Sequence, residues 1–314
     1  MGEINQQAAG LHTGTKNNVS AQSEKIRGIL FVLAAGICWG SIGPFIRTFN
    51  KAGLYSLDIV VLRSISTTIF LFLFLMVYDR RLLKIRLRDI WCFIGTGIVS
   101  MAFFNFCYFS LITISTLSVA AVMLYTAPVF VMILSAILFR ERMTKNKAAA
   151  LLLTVLGCIF VTGVIGDAAS LSLRAILLGL GAGLGYALYS IFSRFALRKG
   201  YHSFTISFYT FLFASIATIP MADFRKIAAV GTSSLFMLLF CLFSGFVTTA
   251  LPYILYNFGL AGMENGQAAI IASIEPVVAT LLGFFAFHER LTGGNLIGIV
   301  LVLAAIVLSN LSGE

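Results

Sequence analysis

Glu275 stands about ten residues into an apolar run of 22 residues, Gly266 to Phe287. A charged carboxylate at such a depth in a membrane costs about 3 kcal/mol, so it needs a partner, a proton or a water-filled space. Two chemistries are open to it. As a cavity residue it would bind a cationic group or exchange a proton during a transport cycle. As a structural residue it would brace its own helix beside Pro276, which leaves a carbonyl without a donor. Helical spacing places Glu264, Ala268, Ala272 and Glu275 on one stripe, a polar face with small neighbours. A second buried charge, Arg63, lies inside another apolar run and cannot give up its proton. It acts either as a gate or attraction point for carboxylates, or as a packing partner of Asp58 or of helix-end carbonyls.

Polar aromatics and amides at similar depth supply candidate walls: Trp39, Asn105, Tyr108, Tyr125, Tyr186, Ser190, Tyr253, Tyr256 and Asn257. Their hydroxyl, indole and amide groups need partners when buried, unlike the 29 phenylalanines, which can simply face lipid. An aromatic cavity with few polar groups is the usual form of a small-molecule site. Other chemistries lack equipment. His12, His202 and His288 fall in a tail and in loops, which argues against a hydrolytic or metal-dependent enzyme. The five cysteines lie inside apolar runs without paired spacing and are expected as small core residues. No GxxxxGK[ST] pattern occurs, so nucleotide hydrolysis by the chain itself is not expected. Neither cofactor nor metal is expected.

These residues must be positioned by helices in a bilayer. The chain is 59% hydrophobic and 11% charged, with a mean hydropathy of +0.98, against roughly 25% charged residues in soluble domains. Ten apolar stretches are long enough to span, at about 28–48, 57–78, 90–112, 117–139, 148–165, 175–193, 204–221, 235–258, 266–287 and 296–311. The expectation is an all-α polytopic membrane protein. The polar stretch 1–27 is expected as a cytoplasmic tail. The net charge of +10 would indicate nucleic acid in a soluble protein; here the basic residues sit in short gaps, where they set orientation, and the partners expected are the lipid bilayer and a small molecule.

The spans form two copies of one unit. Shifted by 148 positions, Ala120 falls on Ala268, Pro128 on Pro276, Glu141 on Glu289 and Arg142 on Arg290; shifted by 147, AGICWGSIGPFIR at 35–47 falls on AGLGYALYSIFSR at 182–194. Five spans per copy force the second copy, 174–311, to enter from the opposite side to the first, 28–165, giving inverted repeats. The charges agree with that flip. Loop 79–89 has five basic residues and its counterpart 222–232 two; 140–147 has four and 288–295 one; 49–56 has one and 194–203 three. With both termini inside, fifteen basic residues are cytoplasmic and six external.

Trp39–Gly40–Ser41, the buried Arg63, and a proline followed by a long run and Glu-Arg (Pro128 to Glu141–Arg142, and Glu275–Pro276 to Glu289–Arg290) together resemble the EamA-type transporters of the drug/metabolite transporter superfamily. The resemblance covers 28–311, although the second copy has Tyr186–Ala187 where the first has Trp-Gly. It implies a central cavity lined mainly by spans 1, 3, 4, 6, 8 and 9, and export of small metabolites, typically amino acids or related amines and carboxylates, across the cell membrane, with proton coupling as an option. Glu-Pro is widespread in the family whatever the substrate, which adds weight to the bracing alternative, while Glu275 stays the first candidate for the cavity. Glu141, Arg142, Glu289 and Arg290 are expected as helix-end anchors. The other reading is a non-transporting scaffold or sensor, which needs no polar face at mid-depth. Substrate, coupling ion, direction and oligomeric state stay open.

Overall fold

The computed structural model describes residues 22–163 and 172–311; most of the expected tail, the connector 164–171 and the last three residues lie outside the described residues. Among the described residues ten helices are long and apolar enough to cross a membrane, numbered here in chain order. Span 1 is Gln22–Lys51, span 2 Ser56–Tyr78, span 3 Leu87–Ile112, span 4 Val119–Phe139 and span 5 Lys145–Thr162. Span 6 is Leu173–Arg198, span 7 Ser203–Met221, span 8 Leu235–Ala261, span 9 Asn265–Phe287 and span 10 Gly293–Leu311. The expected spans are all present. Span 1 begins six residues earlier than its apolar run, at Gln22, because polar residues extend a helix without cost once it leaves the hydrocarbon. The connector between spans 7 and 8 folds into a short helix, Phe224–Gly231, capped by the Asp223 carboxylate.

Five of the spans are irregular at mid-depth, and these irregularities build the site; span 1 is interrupted at Ser41, before the segment Ile42–Lys51. Span 4 is split into Leu117–Leu124 and Ala127–Phe139, and span 9 into Asn265–Ala272 and Glu275–Phe287. Pro128 and Pro276 stand in the first turn of the second halves, where their missing N–H breaks no helical bond. Spans 3 and 8 carry π-helical turns at Gly95–Ala102 and Phe246–Ala250, which shift hydrogen-bond register and turn carbonyls outward. Spans 4 and 9 end alike. Arg140 and His288 take left-handed conformations (φ 59° and 55°), and the N–H of the following glutamate donates back to Ser135 (3.3 Å) or Gly283 (3.1 Å).

Close backbone approach explains two of the glycine positions. A Cβ on Gly40 would stand 2.6 Å from the Glu275 carbonyl oxygen, so the Trp-Gly pair lets span 1 touch the break in span 9. Span 6 has Ala187 at the matching place, packed against Ala127. Spans 5 and 10 cross at Gly157 and Gly298, where a Cβ on Gly298 would lie 2.6 Å from the Gly157 carbonyl oxygen. The large apolar side chains left outside, among them Ile137, Val300, Val307 and Phe285, form the surface that lipid covers.

Candidate functional site

A cavity of about 210 Å³ opens between the spans. It is lined by residues of spans 1, 3, 4, 6, 8 and 9, and also by Val60, Arg63 and Ser64 of span 2 and Phe211, Ala214 and Thr218 of span 7. The cavity thus has two more walls than the six spans implied by the resemblance. Spans 5 and 10 contribute none of its lining.

Glu275 lies at the inner end of this space. The break at Ser273–Ile274 makes it the first residue of a half-helix, so its carboxylate meets the partly positive end of that helix. Trp39, Tyr108, Tyr186 and Tyr253 line the main cavity with it, and Tyr125, Tyr186 and Tyr256 a smaller one. All six aromatic candidates therefore share a cavity with one acid. A second, small cavity of about 20 Å³ continues past Glu275, lined by Tyr125, Pro128, Val131, Ser190, Tyr256 and Ala269 among others.

Arg63 also lines the main cavity, and its partners are on span 8. Its Nε donates to Thr249 Oγ1 (2.9 Å) and its Nη2 to the Thr248 carbonyl (2.8 Å). Pro252, four residues on, has no N–H to offer that carbonyl. Of the two packing partners considered for Arg63, the helix carbonyl is the one seen. Asp58 instead accepts the N–H of Asp223 (3.0 Å), fixing the start of the short helix. Arg63, Tyr253 and Glu275 all line the same cavity.

The floor of the cavity is aromatic. Trp39 meets Tyr253 (ring centroids 5.1 Å), Tyr256 (5.5 Å) and Tyr186 (6.2 Å), contacts each worth about 0.5–1.5 kcal/mol beyond burial. Tyr256 shares a 2.7 Å hydrogen bond with Ser190 Oγ, and both line the small cavity. Asn105 and Tyr108 line the main cavity, with Asn105 Nδ2 donating to the Met101 carbonyl (2.7 Å). Asn257 stands apart from these: it is fully buried and donates to Tyr189 (2.6 Å) and Ser207 (3.2 Å), holding span 8 to spans 6 and 7. Trp39 Nε1 is buried and has no acceptor.

The helix-end residues fall into two groups. At one end of the bundle Glu141 accepts the backbone N–H groups of Asn265 (2.9 Å) and Gly266 (3.3 Å), the start of span 9. Arg142 is exposed, and its carbonyl accepts Lys147 Nζ (3.0 Å). At the other end Glu289 pairs with Arg47, while Arg290 is exposed. Sequence reasoning did not single out Asn265, Arg194 or Tyr189. Arg194 and Asn265 lie at span boundaries, where polar residues are ordinary, and only the matched positions of the two copies set Arg194 beside Arg47. No group of three or more His, Cys, Asp or Glu side chains among the described residues could share a metal ion.

Ten apolar helices around a small, polar-tipped aromatic cavity define a polytopic membrane transporter of small molecules. The chain belongs to the EamA-like transporter family, which it matches over residues 26–163 and again over 173–311. An uncharacterized transporter of Archaeoglobus fulgidus is 33% identical over 216 residues, covering 68% of this chain and 75% of that protein. The uncharacterized transporter YxxF of Bacillus subtilis is 25% identical over 296 residues, 92% of this chain and 91% of that protein. A crystal structure at 15% identity superimposes with a TM-score of 0.74, covering 90% of this chain and 96% of the other, and so shares the fold.

Proposed function

We propose that this chain exports small zwitterionic metabolites, amino acids or related amines and carboxylates, across the cell membrane by alternating access. The carrying observation is that one cavity is lined by a partly buried carboxylate and a partly buried guanidinium, Glu275 and Arg63, with Tyr253 in the same lining. A ligand with an ammonium and a carboxylate meets both charges, whereas a singly charged ligand leaves one unanswered. The volume, about 210 Å³, is below the roughly 300–1,000 Å³ of drug-sized sites and suits a small metabolite. The two copies are read as inverted repeats that rock against each other around this site, with both termini cytoplasmic. Glu275 can carry a proton in exchange, and the chain is read as a carrier without enzymatic chemistry. A scaffold would leave such a cavity without use.

The test is counterflow in proteoliposomes preloaded with a panel of amino acids, amines and monocarboxylates. Accumulation of labelled amino acids above empty vesicles supports the reading. Accumulation of amines or monocarboxylates alone would replace it with a single-charge carrier, and no accumulation of any compound favours the scaffold.

A further inference from the structure

Span 9 is held differently at its two ends. At its start, Glu141 reaches across from the end of span 4 and accepts two backbone N–H groups, those of Asn265 and Gly266. Arg194, at the end of span 6, donates to Asn265 Oδ1 (2.7 Å) and to the Met263 carbonyl, and Asn265 Nδ2 donates to Ser135 Oγ (3.0 Å). Asn265 is fully buried. The small cavity beside Glu275 reaches Val131 and Ala269, one helical turn short of Ser135 and Asn265, and none of the cluster's residues lines it. At the far end of span 9, Glu289 follows the same left-handed cap as Glu141 but lies back along its own helix. Its Oε2 is 2.5 Å from where a Cβ on Gly283 would stand, and it pairs with Arg47, both side chains being about half exposed. The main cavity extends toward this end, to Ile46, Val60, Phe109 and Thr218.

The residues of the two ends correspond: Glu141 with Glu289 and Asn265 with Leu117 at a shift of 148, Arg194 with Arg47 at 147. We propose that Glu141 and Glu289 are reciprocal latches, each closing one end of the cavity by capping the first turn of the facing broken span, and that only the Glu141 latch is closed here. In the opposite state Glu289 leaves Gly283 and caps the N–H groups at positions 117 and 118, while Glu141 releases span 9. A carboxylate on two backbone N–H groups at a helix start is a charge-assisted bond that holds only in one geometry, which suits it to a two-state seal. The asymmetry is built into the sequence. Asn265 ties the closed latch to Arg194 and Ser135, whereas its counterpart is a leucine, so the second latch is the weaker and the present state is the resting one. This deepens the alternating-access reading and rests on it.

The test needs no substrate. The five cysteines are replaced by alanine, and V131C or V60C is introduced as reporter behind the closed latch or in the open cavity. Labelling rates with a charged maleimide are then measured in nanodiscs, where both faces are reached. Glu141→Ala should raise labelling at 131 by about tenfold or more and slow it at 60, as expected for loss of a charge-assisted bond pair in one of two states. Glu289→Ala should lower labelling at 131 further and leave 60 fast. Glu141→Gln, which keeps one acceptor, should fall between wild type and Glu141→Ala, and it serves if the alanine variant fails to insert. Unchanged rates at both positions in inserted protein overturn the proposal, as does a rise at both together, which marks loosening. Because the readout is accessibility, failure of the latch is distinct from failure of the substrate reading, which only counterflow reports.

Discussion

Glu275 carries the most weight of any single side chain. It begins a half-helix, faces the cavity and stands beside Tyr186. Its counterpart is Ala127, so the break in the span does not require an acid. Glu275→Gln keeps the size and much of the hydrogen bonding but removes the charge and the exchangeable proton. The expected outcome is a fully inserted protein whose initial transport rate drops at least about tenfold, the scale of one lost charge-assisted contact, and whose rate no longer varies with pH. Initial rates measured as a function of pH and normalised to inserted protein decide it. A wild-type rate and pH profile would return Glu275 to a bracing role. This residue was legible in the sequence because a charge inside an apolar run is rare. Asn257 was equally legible as a buried polar group, but not its direction: the sequence shows that an amide needs partners and does not say that Tyr189 and Ser207, rather than the cavity, supply them.

At the scale of the element, the ten spans were readable from hydropathy alone, and the breaks were only half readable. Pro128 and Pro276 marked spans 4 and 9, and Pro252, just after the π-helical turn of span 8, has no N–H for the Thr248 carbonyl four residues back, whereas the turn of span 3 contains no proline. The sequence therefore shows that this carbonyl needs another donor but not that Arg63, 185 positions away, supplies it. Gly40 shows how an element is positioned by what it lacks. Adding one methyl group there meets the Glu275 carbonyl oxygen at 2.6 Å, and a backbone atom cannot rotate away. Gly40→Ala should therefore destabilise by about 1–3 kcal/mol, the usual cost of overpacking. Ala187→Gly, at the matching place in span 6, creates no clash and should cost less. Thermal unfolding in detergent, followed by size-exclusion monomer recovery, compares them; equal stability of Gly40→Ala and wild type would mean that span 1 can shift freely against span 9.

For the whole molecule, the chain order of basic residues was the only guide to orientation, because a helix bundle looks alike from either side of a bilayer. The orientation with both termini cytoplasmic puts Lys84 inside and Lys226 outside; both are exposed. In a cysteine-free background, K226C should react with an impermeant thiol reagent in intact cells, and K84C only after permeabilisation. Strong external labelling of K84C would reverse the orientation and with it the sense of export. The match of the family to each half separately is what a doubled architecture would produce. The cavity between the halves has no signature within either one. It exists only through the meeting of residues such as Trp39 and Tyr253, 214 positions apart.

The crossing of spans 5 and 10 has a consequence for how this sequence can drift. Where Gly157 meets Gly298 a Cβ on either would crowd the facing backbone, while on the outer faces of the same two helices Leu152, Leu156, Leu296 and Val300 are exposed toward lipid. The seam is therefore expected to resist any added atom, and the outer faces to accept side chains as oily as those they replace. One pair of helices would then keep two clocks, a slow one at the seam and a fast one against the lipid.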